Sequence, residues 1–289
     1  MEAPKFDLQS HSVHSDGALT PHEVVRAAAE AGVELFALSD HDTAAGVPEA
    51  RAAADELGIS LVAATEITSV FDGQQDLHVL GYLIDPSEAT LTETLEHSRS
   101  DRERRAQAMA DALRELGFEL DDEALAQRAA QGKSIGRPHL AQAVVSVPAN
   151  HDRLAADGLL DPTAFLVAYL IEGKPAFRDR SAPSVEEAIE LIHGAGGVAV
   201  WAHPFWDVKE PDAVLAAIDR FRAAGLDGVE AFYVTHTREQ TQLLVARCAE
   251  LELLSTGSSD YHGPQHHTFS SFRAFQTYGL SPTLGPLAG

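Results

Sequence analysis

Short apolar runs recur along this chain, and helical patterns separate most of them. The runs are Leu35–Ser39 (LFALS), Leu61–Ala64 (LVAA), His78–Ile84 (HVLGYLI), Val198–Trp201 (VAVW) and Val229–Val234 (VEAFYV). Runs of this length bounded by turn residues fit buried strands. The helix signals between them are explicit. Thr20 is a candidate N-cap, Pro21 takes the first helical position, Glu23 completes a capping box and Gly32 stops the helix. Ser184 and Glu187 repeat the box before EEAIELIHGAGG. Strand–helix alternation of this kind implies an α/β fold with a largely parallel sheet.

Residues 97–174 break the rhythm. SRSDRERRAQAMADALRELG, DDEALAQRAA, RPHLAQAVV and DPTAFLVAYLIEG read as helices, with no convincing strand among them. The expected organisation is an α/β domain formed by residues 1–96 and 175–289, carrying a helical insertion at 97–174 that lids one side of the substrate cleft. The stretch Thr268–Gly289 is rich in Ser, Gly and Pro and is expected to form a short strand followed by a loose tail.

Polar residues gather where the apolar runs end. The first group is Asp7-Leu8-Gln9-Ser10-His11, running on to Ser15-Asp16-Gly17; Gln9 and His11 share a face because alternate strand residues do. Ser39-Asp40-His41-Asp42 follows LFAL, Glu66 ends LVAATE and His78 opens HVLGY. Ala202-His203-Pro204 closes VAVW, and Ser259-Asp260-Tyr261-His262-Gly263 follows LLSTGS. In parallel α/β architectures the strand C-termini form one face, where ligands bind. A lone His after a strand is more often a capping residue, and an Asp before Gly is more often a turn. Repetition at successive strand ends favours a single converging site instead. Imidazole and carboxylate donors suit divalent ions such as Zn, Fe or Mn, and several together suit a multinuclear centre in which one carboxylate bridges two ions.

Composition narrows the function. The net charge of −23 argues against capture of long nucleic acid and leaves anionic substrates to places where metal ions or arginines reverse the local field. Cys248 is the only cysteine, which excludes an internal disulfide and a thiolate metal cage and suits a reducing, cytoplasmic compartment. No apolar run nears the roughly 20 residues that spanning a bilayer takes, so no membrane partner is expected. MEAPKFDLQSH lacks the basic and apolar segments of a signal peptide. No G-x-x-x-x-G-K loop supports an ATPase.

The strand-end motifs resemble those of the polymerase and histidinol phosphatase (PHP) family. Its opening D-x-H-x-H followed by S-D-G is similar to DLQSHSVHSDG, and its second signature to LSDHDT at Leu38–Thr43. Its AHP element is similar to Ala202–Pro204, and its closing S-D-x-H-G to Ser259–Gly263. The resemblance implies a distorted (β/α)7 TIM-like barrel with a helical insertion, carrying two or three divalent ions (Mn, Fe or Zn). It implies one ion at Gln9, His11, Glu66 and Asp260, a second at Glu66, His78 and His203, and a third at Asp16, His41 and His262. Gln9 departs from the pattern, which has a His there. An amide oxygen is a weaker, neutral donor, so the first ion is expected to be loosely held, absent, or a harder ion such as Mn or Mg. His14 is close in sequence but has no geometric support as a substitute.

Ser134-Ile135-Gly136-Arg137-Pro138-His139 and the GKPAF of Gly173–Phe177 resemble the PHP subgroup that hydrolyses nucleotide phosphates. That subgroup includes nucleoside 3',5'-bisphosphate phosphatases, 5'-to-3' exoribonucleases and a cyclic-phosphate variant. The resemblance implies substrate phosphate contacts from Arg137, whose planar fork suits bidentate binding, and from His139. Arg178 and Arg180, just past GKPAF, are further candidates. Arg99, Arg102, Arg104 and Arg105 read as a solvated helix face, because Asp101 and Glu103 interleave. The expected function is hydrolysis of a phosphate ester on a small nucleotide, such as a nucleoside 3',5'-bisphosphate, or at the 5' end of a short RNA. Asp16, His41, Glu66, His203 and Asp260 form the expected catalytic centre, with an ion-activated water as nucleophile; no general acid is assigned. The alternatives are a cyclic-phosphate or histidinol-phosphate hydrolase, and a non-catalytic nucleotide-binding module whose first ion is impaired by Gln9.

Overall fold

Each apolar run singled out above overlaps a strand. In chain order the elements are β1 (Phe6–Asp7), α1 (Pro21–Glu30), β2 (Leu35–Leu38), α2 (Val47–Leu57), β3 (Ser60–Phe71), β4 (Gln74–Tyr82) and the long helix α3 (Ala89–Glu115). Helices α4 (Asp122–Ala130), α5 (Arg137–Val145), α6 (His151–Asp157) and α7 (Pro162–Tyr169) follow. Then come α8 (Val185–Gly194), β5 (Val198–Trp201), α9 (Pro204–Asp207), α10 (Pro211–Ala223), β6 (Gly228–Tyr233), α11 (Arg238–Leu251) and β7 (Leu254–Ser258). The structure, a computed structural model, describes residues 4–130, 135–179 and 181–288. It divides into two units, Met1–Glu96 with Ala182–Gly289, and His97–Ser181.

In the first unit the seven strands lie side by side in sequence order. Pairing is parallel from β1 to β3 and from β5 to β7, and antiparallel on both sides of β4. Leu8 N–H donates to Gly257 O at 3.3 Å and Ser10 bridges Tyr261, so the sheet nearly closes into a barrel. The reversal of β4 has a local cause. Phe71 pairs with Gln74 across Asp72-Gly73, and both turn residues have positive φ (48° and 82°). Two left-handed residues make the tight hairpin turn that matches strand twist. A hairpin therefore replaces one strand–helix–strand crossover, and this distorts the barrel. β3 also runs far past LVAA, because Thr65, Glu66, Thr68 and Ser69 are buried polar residues that an apolar pattern does not reveal.

The capping boxes form as expected. Thr20 Oγ1 accepts from Glu23 N–H (3.3 Å) while Glu23 Oε2 accepts from Thr20 N–H (3.0 Å), and Ser184 and Glu187 do the same before α8. The core includes Leu8, Ile67, Leu80, Tyr82, Trp201 and Phe232, all fully buried. Tyr82 Oη donates to Leu8 O at 2.8 Å, which satisfies a hydroxyl inside that core. The closing segment differs from the loose tail expected. Phe272 and Phe275 are buried, Thr283 bridges Ser255 of β7, and Arg273 N–H donates to Asp7 Oδ2 at 2.8 Å.

The second unit is helical and has its own core of Met109, Leu113, Leu140, Val144, Leu154 and Leu170 around an aromatic group. Phe165 stacks on Tyr169 (4.8 Å between centroids), and Phe118 meets both edge-on. This unit extends to Ser181, past the boundary expected at Lys174, because Ala176 is buried in its core and the Arg105 guanidinium lies 5.1 Å from the Phe177 ring. Among the described residues no helix is long and apolar enough to cross a membrane.

Candidate metal centre

The barrel brings Gln9, His11, Asp16, His41, Glu66, His78, His203, Asp260 and His262 into one cluster, with Glu66 at its hub. Around Glu66 Oε1 lie His78 Nδ1 (2.8 Å) and His203 Nε2 (3.2 Å), and those two nitrogens are 3.4 Å apart. Around Glu66 Oε2 lie Gln9 Nε2 (2.9 Å), His11 Nε2 (3.1 Å) and His41 Nδ1 (3.4 Å). Asp260 Oδ1 is 3.0 Å from His11 Nε2. Asp16 faces His262 Nε2 at 3.4 Å and His41 Nε2 at 3.7 Å. Three groupings of His and carboxylate atoms could each hold an ion: His11, Asp16, His41 and His262; His41, Glu66 and His78; and His11, Glu66 and Asp260.

The backbone explains the convergence. Glu66 sits mid-strand, but β3 overshoots the rim, and its peptide bridges the loop after β2: Asp42 N–H donates to Glu66 O (2.9 Å) and Glu66 N–H to Asp40 O (3.2 Å). Asp42, His203 and Asp260 adopt left-handed φ values of 52°, 31° and 51°. Backbone of this kind in non-glycine residues is uncommon and gathers at functional sites. Gly17 is required for a different reason, since a Cβ there would lie 2.2 Å from His11 O.

Several buried groups that the sequence motifs left without a role hold this arrangement. Asp40 accepts from Ser12 N–H, Ser12 Oγ and Ser15 Oγ, each at 2.7 Å, and so ties the Asp16 loop to the strand before His41. Asp42 accepts from Thr68 N–H at 2.9 Å. Asp7 accepts from Ser259 N–H at 2.8 Å, just ahead of Asp260, and burial pushes its carboxyl up to about 7. Glu230 accepts the His203 N–H at 2.9 Å, and burial pushes it up to about 8. Its only sequence signal is a carboxylate inside the otherwise apolar run VEAFYV. His262 turns its Nδ1 to Asp260 O (2.7 Å), which points Nε2 into the cluster.

The donor set fits divalent cations. His11 Nε2, His41 Nδ1 and Asp260 Oδ1 are buried and have no well-aligned hydrogen bond among the described residues, although oppositely charged atoms stand 3.0–3.4 Å away. Atoms placed this way aim at shared points rather than at one another. Burial raises the pKa of Glu66, but the His41 and His78 imidazoles hold it well below the usual range. Asp16 is held down in the same way by His41 and His262. Burial opposes protonation of His203, yet Glu66 lifts it to about 9. His41 goes the other way: burial pushes it to about 3 despite Glu66 and Asp16. Charged carboxylates around imidazoles, of which His11 and His203 are held in the protonated form, set up a strong field for cations.

Gln9 joins the cluster but not with its oxygen. Its amide nitrogen faces Glu66, and its Oε1 accepts from Ser258 Oγ at 3.2 Å. The reverse orientation would set an amide oxygen against a carboxylate. As placed, Gln9 donates to Glu66 and accepts from Ser258. The phosphate-binding candidates lie in the helical unit. His139 Nδ1 accepts from Gly136 N–H (3.0 Å) at the start of α5, beside Arg137. Arg178 Nη1 donates to Phe177 O (2.8 Å) and Pro175 O (3.3 Å). Arg180 lies outside the described residues.

A barrel that gathers imidazoles and carboxylates at its strand ends around one shared glutamate defines a metal-dependent hydrolase. The sequence matches the PHP domain over residues 7–127. It is 36% identical to a 5'-3' exoribonuclease of Haemophilus influenzae, over 90% of both chains. It is 33% identical to a 3',5'-nucleoside bisphosphate phosphatase of Chromobacterium violaceum, over 90% of this chain and 87% of that protein. The fold matches the crystal structure of a putative metal-dependent phosphoesterase of Bifidobacterium adolescentis, with a TM-score of 0.75 and 32% identity over 92% of this chain and 91% of that one. The chain belongs to the PHP domain family and is a metal-dependent phosphoesterase.

Proposed function

We propose that this phosphoesterase hydrolyses the phosphate ester of a small nucleotide, such as a nucleoside 3',5'-bisphosphate or the 5' end of a short oligoribonucleotide. The names of its relatives support that substrate class, and the net charge of −23 disfavours long nucleic acid as partner. The site would hold two or three ions of Mn, Fe or Zn. Glu66, His78 and His203 would take one, and Asp16, His41 and His262 another. His11, Glu66 and Asp260 would take a third, with Gln9 as the weak, neutral fourth ligand. The lone free cysteine, buried Cys248, supports a cytoplasmic setting.

When bound, the ions supply Lewis acidity that lowers the pKa of water towards about 7 and offsets the charge of the phosphoryl oxygens. The chain's own residues set the geometry. Glu66 spaces the donor groups through its two oxygens, and Asp40, Asp42, Asp7 and Glu230 fix the loops that present them. Asp16, His41, Glu66, His203 and Asp260 form the catalytic core. Arg137, His139, Arg178 and Arg180 carry the guanidinium and imidazole chemistry that phosphate recognition uses.

The observation that carries this reading is Glu66, whose two oxygens are approached by five side chains from four separate segments, while buried ring nitrogens beside it lack aligned hydrogen bonds among the described residues. The test is phosphate release from nucleoside bisphosphates, cyclic phosphates and short RNAs by protein loaded with Mn, Fe or Zn. Release from adenosine 3',5'-bisphosphate that chelation abolishes is expected. Full metal loading without release from any phosphoester would leave only a nucleotide-binding module.

A further inference from the structure

We propose that Trp206, with Phe269 and His266 beside it, is the shelf on which the nucleobase of the substrate stacks; this rests on the nucleotide reading above. Trp206 is 45% exposed, whereas Trp201 is wholly buried in the barrel core. It lies on α9, three residues beyond His203. Its ring meets Phe269 (5.7 Å between centroids, 58°) and Tyr233 (6.4 Å, 78°). Both of those rings reach the ion cluster. Phe269 lies 5.6 Å from the His262 ring, and Tyr233 Oη donates to Asp260 Oδ2 at 2.7 Å. His266 stacks on Phe269 at 5.1 Å and 21°, and is itself exposed. A chain of ring contacts thus runs from a candidate ligand histidine to an open indole.

Local contacts brace this shelf. Lys209 Nζ donates to Phe205 O at 3.1 Å and stands 5.9 Å from the Trp206 ring, bracing the turn that carries it. His262 N–H donates to Phe269 O (2.9 Å), and Phe269 N–H to His266 Nδ1 (3.0 Å). A rigid aromatic face loses little entropy on binding.

Size identifies the occupant. A stable protein partner takes about 800 Å² on each side, yet next to Trp206 only 8% of Phe269 and 2% of Tyr233 are exposed. One open ring suits a flat heteroaromatic group. Stacking is tolerant of base identity because every base has a π-face. The shelf therefore confers preference for nucleotides over base-less phosphate esters, with little choice among bases.

The test uses metal-loaded protein in wild-type, Trp206→Phe and Trp206→Ala forms. AMP is titrated while tryptophan fluorescence is read, and kcat/KM is measured for adenosine 3',5'-bisphosphate and ribose 5-phosphate. AMP is expected to quench the wild type, and the quench to vanish in Trp206→Phe, where only Trp201 emits. The preference for the nucleotide should fall roughly tenfold in Trp206→Ala, as for one lost base–aromatic stack, and persist in Trp206→Phe. An unchanged preference in Trp206→Ala, or equal quenching with and without the indole, overturns the shelf and leaves the residue to a protein partner or to bare surface. Turnover of ribose 5-phosphate without turnover of the nucleotide would reject the nucleotide function instead, and AMP quenching would still decide the shelf.

Discussion

The Gln9 amide nitrogen lies 2.9 Å from Glu66 Oε2, so a neutral hydrogen-bond donor flanks the carboxylate that the other cluster residues share. The proposed ion subsite of His11, Glu66 and Asp260 therefore has a weaker donor beside it than an imidazole at position 9 would give it. Gln9→His is expected to tighten the most weakly held ion, read as a higher ion-to-chain ratio after dialysis against a weak chelator. An unchanged ratio would mean that position 9 does not limit occupancy.

Asp16 and His41 face each other at 3.7 Å and share no role in the barrel core. Asp16→Ala and His41→Ala should each lower phosphoesterase turnover by at least about 100-fold, the upper range for disturbing even the partners of metal ligands. Circular dichroism and the melting midpoint should stay close to wild type. Turnover at the wild-type rate in either variant would remove that residue from the centre.

Metal binding should depend on pH with a sign set by the imidazoles. Burial disfavours protonated His203, but Glu66 raises its pKa to about 9, and Asp260 and Glu66 likewise lift His11 well above 6.5. Protonated imidazoles cannot ligate, so incoming ions displace protons. Affinity should climb by about tenfold per pH unit for each proton released, up to pH near 9. Ion-free protein behaves oppositely: a raised histidine pKa contributes stability that is complete below 6.5 and lost as pH rises through about 9. The melting increment from added metal should thus be larger at pH 9 than at 6.5. Calorimetric scans with and without chelator measure it, and an equal or smaller increment at pH 9 would count against the cluster as ligand set.

What the sequence reveals here follows from periodicity. His41, His203 and Asp260 stand out because each follows an apolar run at a strand end, Asp16 because it sits in the Ser-Asp-Gly turn of the loop after β1, and the barrel makes strand ends converge. The pattern LVAATE puts Glu66 at the end of a short run, whereas it lies mid-strand, since the polar but buried Thr65, Thr68 and Ser69 hide the rest of β3. Glu230 does not stand out as a functional residue within VEAFYV, because its role depends on a hydrogen bond to His203 that only the folded barrel creates. The direction of the Gln9 amide is likewise decided by Glu66 and Ser258, remote in sequence and adjacent in space.

Glu230 gives a prediction that separates charge from shape. Burial raises its carboxyl to about 8, which favours the protonated form at neutral pH. That proton can be donated to Ser258 Oγ, 2.5 Å away, which frees the Ser258 hydroxyl to donate to Gln9 Oε1. Glu230→Gln reproduces this pattern and should keep metal affinity within a few fold, while Glu230→Ala should lose about 10–100-fold. The raised pKa means that wild-type stability is fully present below 4.5 and lost as pH rises through about 8. The melting advantage of Glu230→Gln should accordingly appear above pH 4.5 and grow to pH 8. Equal metal affinity in the Gln and Ala variants would show that the side chain does not position His203.

The closing segment offers a test of how the barrel shuts. Phe275 is 1% exposed and packs on Phe6 at 5.5 Å, while Arg273 donates from its backbone to Asp7 and from its guanidinium to Pro4 O (2.6 Å) and Ala31 O (2.8 Å). The segment therefore straps β1 to its neighbours where the sheet would otherwise gape. Phe275→Ala should cost about 3–5 kcal/mol, the usual loss for a buried phenylalanine, and shift the urea midpoint to match. Asp7 also holds the Ser259 peptide next to Asp260, so loosening the strap should weaken ion retention as well. A urea midpoint equal to wild type would make the segment the loose tail its Ser-, Gly- and Pro-rich composition suggests. A lowered midpoint with full ion retention would confine its role to folding, because Asp7 would then hold Ser259 without help from Arg273.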